Sequence, residues 1–138
     1  MKRLKNAAMV LLVNKDGYVL MQHRTYDAPS YPGTWAFFGG ALEGDEEPEL
    51  GAKRELLEEL SYVLDNPKVE LTVEYDNDKG YGTKYYFIVP YDEKQKFELK
   101  EGLGYTWIPL SDLSNFNIAE HNLKVLDTLK QKIEQLKK

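Results

Sequence analysis

The period of apolar and polar positions changes several times along the chain, and each change marks a new element. An apolar run from Lys5 to Val13, a polar turn Asn14-Lys15-Asp16-Gly17 and a second run Tyr18 to His23 predict a β-hairpin. Thr25 to Gly33 carries Pro29, Pro32 and Gly33 and reads as a surface loop. It leads into a short aromatic strand, Trp35 to Phe38, that stops at Gly39-Gly40. The period then lengthens to that of a helix. Pro48 suits a first turn, where its missing N–H is no loss, and the spacing predicts a helix from Pro48 to Leu60 with Leu50, Leu56, Leu57 and Leu60 toward the core. Beyond Asn66-Pro67, Val69 to Tyr75 alternates strictly, and the polar turn Asp76 to Gly82 joins it to Thr83 to Tyr91 as a second hairpin. Tyr105 to Ile108 is a last strand, followed by a helical turn at Ser111 to Leu113. Leu123, Leu126, Leu129, Ile133 and Leu136 predict an amphipathic helix from about Ala119 to the end.

Strands and helices are interspersed and both hairpins are antiparallel, so the expected class is α/β with a mixed sheet. No linker, repeat or low-complexity stretch divides the 138 residues, which are expected to form a single domain, 1–138. The basic start before Ala7 to Val13 invites a signal-peptide reading, but seven apolar residues followed by a turn are too few. A strand in a cytoplasmic protein is the expectation. The absence of Cys excludes disulfides, thiolate zinc sites and cysteine nucleophiles, and two His leave little for an imidazole metal site. His23 reads as a strand residue with its own hydrogen bond.

Charge adds a location. Between Glu43 and Glu59 eight acidic residues face only Lys53 and Arg54, a net −6 in a chain of net −5. Within the predicted helix, taking Glu55 as zero, Glu58 falls at about −60° and Glu59 at about +40°, so three carboxylates share an arc of about 100°. Three Glu at such spacing are most often a solvated face. Here, however, like charges oppose one another and Arg54 lies only at the edge of the arc, whereas Mg²⁺ or Mn²⁺ takes carboxylate oxygens. Gly51, on the same side, leaves room for a close approach.

The spacing then becomes specific. Gly40, five residues, Glu46, seven residues, Arg54-Glu55-Leu56, one residue, Glu58-Glu59, one residue, Ser61-Tyr62 closely resembles the box of the Nudix hydrolase family. Ser61 stands where that pattern has Gly. The position follows the helix, where a left-handed backbone is common and costs a non-glycine residue about 1–2 kcal/mol. Phe38 before the glycine pair, the order Gly44-Asp45 and the aromatic Tyr62 also depart from the usual pattern.

The resemblance implies an α/β/α sandwich and Mg²⁺- or Mn²⁺-assisted hydrolysis of a nucleoside diphosphate linked to another moiety. It implies Glu58 and Glu59 as the main metal ligands, Glu55 as ligand or general base, Arg54 as the residue orienting a carboxylate, and a contribution from the Gly39 carbonyl. The choice of base differs among members and stays open, with Glu58 among the catalytic candidates. Similarity to the MutT-type branch adds Glu101 as a distant ligand or base, Asn122 as a reader of an oxidised purine, and Phe37 as a main-chain contact. Taken by themselves, Glu101 is a solvated loop residue and Asn122 a helix-start cap.

The implied partner is a small-molecule nucleotide, with no DNA-binding module, no membrane, and a monomer or homodimer. A nucleoside triphosphate leads, as in nucleotide-pool clearing. Nucleoside-diphosphate sugars, dinucleoside polyphosphates and RNA ends remain open, because the box recognises only the diphosphate. A nucleotide sensor without turnover is the competing class; retention of Glu55, Glu58 and Glu59 speaks against it.

Overall fold

The run Ala7–Val13 is apolar throughout, as suits a strand covered on both faces. In the computed structural model, which describes residues 2–28, 31–77, 80–100, 102–116 and 125–136, it is the central strand, β1. β2 (Tyr18–His23) returns antiparallel with Val13 opposite Val19, after a turn in which the Asn14 side chain accepts the Asp16 and Tyr18 N–H groups at 3.0 and 2.9 Å. β3 (Trp35–Ala36) pairs with β2, and β4 (Phe38–Ala41) pairs with β1. On the far side of β1 lies β6 (Gly80–Pro90), in parallel register, with β5 (Val69–Asn77) antiparallel beyond it. β7 (Gly104–Pro109) closes against β2. The seven-stranded sheet is mixed, as expected.

One edge of β1 is shared. Its first half, Ala7 to Val10, pairs with β4, and its last residue pairs with β2, so β2 and β4 diverge like the arms of a fork. Alternate residues of the sheet face opposite layers. Ala8, Val10, Leu12, Leu20, Phe38 and Phe87 pack with Ala52, Leu56 and Leu60 of α1 (Pro48–Leu60). Met9, Leu11, Val19, Met21 and Tyr86 pack with Leu113, in a 3₁₀ turn at Leu110–Asn115, and with Leu126, Leu129 and Ile133 of α2 (Leu126–Leu136). The result is an α/β/α sandwich. No helix among the described residues is long and apolar enough to cross a membrane.

Several expectations need correction. The aromatic strand does not stop at the glycine pair: it breaks at Phe37 and resumes as β4, which runs through Gly39 and Gly40 because β1 supplies a pairing edge there. The second hairpin is longer than predicted, with pairing continuing to Asn77 opposite Gly80. Leu50 and Leu57 do not face the core and are 57% and 53% exposed. The buried side of α1 carries Gly51, Ala52, Leu56, Glu59 and Leu60 instead. Glu101, His121, Asn122 and the predicted helix start at Ala119 lie outside the described residues.

Two finer expectations hold. Ser61 adopts the left-handed backbone, φ 55° and ψ 30°, and its N–H closes α1 onto Leu57 O. His23 bonds through Nε2 to Gly33 O at 3.1 Å and stacks on Trp35 at 4.6 Å. The aromatic Tyr62 also acquires a reason. Its ring is buried against Tyr91, its hydroxyl accepts the Asp92 N–H at 2.8 Å, and burial pushes its pKa up.

Candidate active site

The carboxylates of α1 are assembled by one arginine and two glycines. Arg54 reaches Glu46 with two parallel bonds, Nε to Oε2 and Nη2 to Oε1, each 2.9 Å. This fork-to-carboxylate geometry is the strong form of a charged hydrogen bond. Arg54, with help from the Glu43 N–H, holds the Glu46 carboxyl down to about 2, and the same pair pushes the guanidinium pKa further up. Its remaining donor edge serves the site. Nη1 lies 3.0 Å from Glu55 Oε1 and 3.3 Å from Glu58 Oε2, while Nη2 also donates to Ala41 O at 3.1 Å. The like-charge strain expected along the arc is therefore relieved internally, because the side chain of Arg54 is long enough to swing in from its edge.

Gly40 forms the floor beneath Glu55. A Cβ at Gly40 would stand 2.8 Å from the Glu55 carboxyl carbon, so the missing side chain is what lets the carboxylate lie on β4. Gly39 meets a different demand. Its φ is 131°, and a Cβ would strike the Ala8 carbonyl oxygen and stand 2.9 Å from Met9 Cα. Its N–H turns to Glu59, donating to Oε1 at 3.0 Å. Gly51 plays no such part: the space it leaves is filled by Leu42 and Glu46 of this chain, so the expected opening for a ligand is taken.

Glu59 is not on a solvated face at all. It is 4% exposed and sits in the fork between β2 and β4, where Gln22 Nε2 donates to its Oε2 at 3.2 Å. Behind it, the Lys100 N–H holds the Glu59 backbone carbonyl at 2.9 Å and the Glu98 N–H holds Leu60 O at 2.8 Å. These bonds satisfy carbonyls that a helix end leaves over. Phe37 buries its ring against Tyr86, and its carbonyl lies 3.4 Å from Gln22 Nε2.

Glu55, Glu58, Arg54, Glu59 and Gly39 are thus brought to one end of the fork. Glu101 and Asn122 belong to the undescribed residues, although Lys100, the neighbour of Glu101, bonds to Glu59. Gln22 was not among the expected residues, and its one signal was an amide inside the apolar run of β2. Among the described residues no three acidic or histidine side chains form a ready-made metal cage. A hard cation still suits the donors. Mg²⁺ keeps several waters and binds through one or two carboxylates plus substrate phosphates, and carboxylate oxygens are what α1 offers.

Comparison with known proteins agrees with this geometry. The family model of the NUDIX domain matches residues 3–129. The 8-oxo-dGTP diphosphatase of Buchnera aphidicola subsp. Schizaphis graminum is 31% identical over 99 residues, 72% of this chain and 74% of that protein. The MutT protein of Methanosarcina mazei Go1 superposes with a TM-score of 0.82 at 19% identity, over 95% of this chain and 96% of its own. The NUDIX domain of Shewanella oneidensis NrtR, solved with ADP ribose, gives 0.77 at 20% identity over 96% and 90%. The last two show the fold alone. With the box in place on α1 and the family model spanning most of its length, the chain belongs to the Nudix family.

Proposed function

We propose that this Nudix pyrophosphohydrolase acts on nucleoside triphosphates, oxidised purine nucleotides among them, releasing nucleoside monophosphate and pyrophosphate. The substrate reading is carried by the likeness to the Buchnera 8-oxo-dGTP diphosphatase, which covers about three quarters of each chain. The seated carboxylates support the chemistry. Glu58 and Glu59 are the residues that would hold Mg²⁺ or Mn²⁺, with the Gly39 carbonyl beside them and Glu101 as a further donor. When bound, the cation would supply charge neutralisation at the phosphate oxygens.

The remaining work falls to the chain. Water attacks phosphorus in line, the anhydride P–O bond breaks, and pyrophosphate leaves with the electron pair. In this reading Glu55, held over Gly40 by Arg54, takes the proton of the attacking water. Arg54 is fully engaged with Glu46, Glu55 and Glu58, so its part is to orient carboxylates and not to touch phosphate. Asn122 and the Phe37 main chain are proposed to meet the base, in a single-domain cytoplasmic protein.

The test is product analysis on a panel of ordinary and oxidised nucleoside triphosphates, nucleoside-diphosphate sugars, dinucleoside polyphosphates and 5′-triphosphate RNA, with Mg²⁺ and with Mn²⁺. Monophosphate plus pyrophosphate from a triphosphate, at the highest kcat/KM of the panel, is the expected result. A higher kcat/KM on a sugar nucleotide, a dinucleotide or RNA would overturn the substrate, and binding without turnover on every member would overturn the enzyme.

A further inference from the structure

The buried amide of Gln22 is unexplained by the fold and unused by the chemistry above. It is 6% exposed at the end of β2, in a run whose other inward positions are apolar, and burying an amide costs free energy unless it is bonded. Its Nε2 finds two acceptors, Glu59 Oε2 at 3.2 Å and Phe37 O at 3.4 Å. Glu59 is in turn gripped on its other oxygen by the Gly39 N–H. The two donors come from the two arms of the fork, β2 and β4, and hold one oxygen each. Held from both sides in this way, the plane of the carboxylate is fixed.

The kind of donor matters. A lysine or arginine at position 22 would hold Glu59 as firmly but would oppose a cation bound to the same carboxylate. A neutral amide orients without that opposition. We propose that Gln22 is a positioning residue that presets Glu59 for a divalent cation, so that removing its donor weakens metal binding more than it weakens the fold. The inference rests on the reading of Glu59 as a metal ligand. Partners that orient a ligating side chain are typically worth about tenfold to a hundredfold in metal affinity.

The test is Mn²⁺ binding to the nucleotide-free protein, by calorimetry and by the electron-spin signal of free Mn²⁺. Gln22→Met keeps the volume and loses both polar groups; Gln22→Asn keeps a buried amide but withdraws it by one methylene. Both are expected to raise the Mn²⁺ dissociation constant by about tenfold or more. Circular dichroism and metal-free melting establish that each variant is folded before it is titrated.

Glu59→Gln separates the two readings. Loss of Mn²⁺ binding in Glu59→Gln together with wild-type affinity in both Gln22 variants would overturn the role of Gln22 and leave Glu59 a ligand. Undiminished binding in Glu59→Gln would overturn the ligand assignment itself. In the Glu59→Gln background, Gln22→Met should cause no further loss; a full additional loss would show that Gln22 acts elsewhere.

Discussion

Replacing Gly40 by Ala tests whether Glu55 works where it lies. No positive φ occurs at Gly40, so alanine is conformationally acceptable there and the perturbation is the methyl group itself. That methyl would stand 2.8 Å from the Glu55 carboxyl carbon and 2.8 and 2.9 Å from its oxygens. Carbon atoms settle at about 3.5–4.0 Å, so the carboxylate must retreat by about 1 Å. The retreat is easy for the fold, because the displaced atoms end a flexible side chain and Arg54 keeps its two bonds to Glu46. A stability change within about 1 kcal/mol is expected, on the scale of one hydrogen bond. For chemistry the same movement is large, since a misplacement of about 1 Å costs about a hundredfold. Steady-state hydrolysis of a nucleoside triphosphate at saturating Mg²⁺, with thermal melting alongside, reads both quantities. Gly40→Ala in a Glu55→Ala background should add nothing. Activity within about threefold of wild type in Gly40→Ala would refute the reasoning.

Ser61→Gly should stabilise the protein, because relief of about 1–2 kcal/mol at a left-handed position exceeds the extra chain entropy of glycine, about 0.5–1 kcal/mol. A lowered melting temperature would contradict this. Glu58→Gln and Glu59→Gln should each lower turnover by about two orders of magnitude, while only Glu59→Gln, whose carboxylate is buried and bonded, measurably lowers the metal-free melting temperature. Equal melting temperatures would show that the buried seat contributes no stability. Glu46 has its pKa depressed by Arg54 from 4.5 to about 2, so the stability it contributes is present above about 4.5 and lost as pH falls toward 2. Denaturant titrations of Glu46→Gln should therefore show a flatter pH dependence through that window than wild type; an identical slope would refute the pairing. Mg²⁺ should raise the melting temperature beyond what NaCl of equal ionic strength achieves, and the excess should vanish in the Glu55→Gln, Glu58→Gln, Glu59→Gln variant.

The limits of α1 are legible in the sequence, because Pro48 marks its first turn and the box residues fix its length. Its rotation is not. Counting leucines places Leu50 and Leu57 inward, yet the helix is turned by about a quarter of a revolution so that Ala52 and Glu59 are buried toward the sheet and Gly51 is buried under Leu42 and Glu46. Small residues mark where backbones approach, and here they outweigh the larger apolar ones. The same rotation carries Glu59 from a supposed surface into the fork. Arg54 looks peripheral for a related reason: angular position on a helix describes where a side chain starts, whereas its guanidinium ends several ångströms away on Glu46 and Glu55. The partners Gln22, Lys100 and Glu98 come from chain segments about 40 residues away from Glu59 and Leu60, and local pattern carries no record of such pairings.

Two amides therefore report on one residue. The Gly39 N–H is bonded to the Glu59 side chain, and the Lys100 N–H to its backbone carbonyl. In hydrogen exchange these two protons track the same seat from opposite ends of Glu59. Residues 98–100 complete the last turn of α1, because their N–H groups bond its last two carbonyls, Glu59 O and Leu60 O. Opening of that strap would release the Glu59 carbonyl and loosen the last turn while the earlier turns stay protected. The site is consequently tied to the 98–100 strap as well as to the helix that carries the carboxylates.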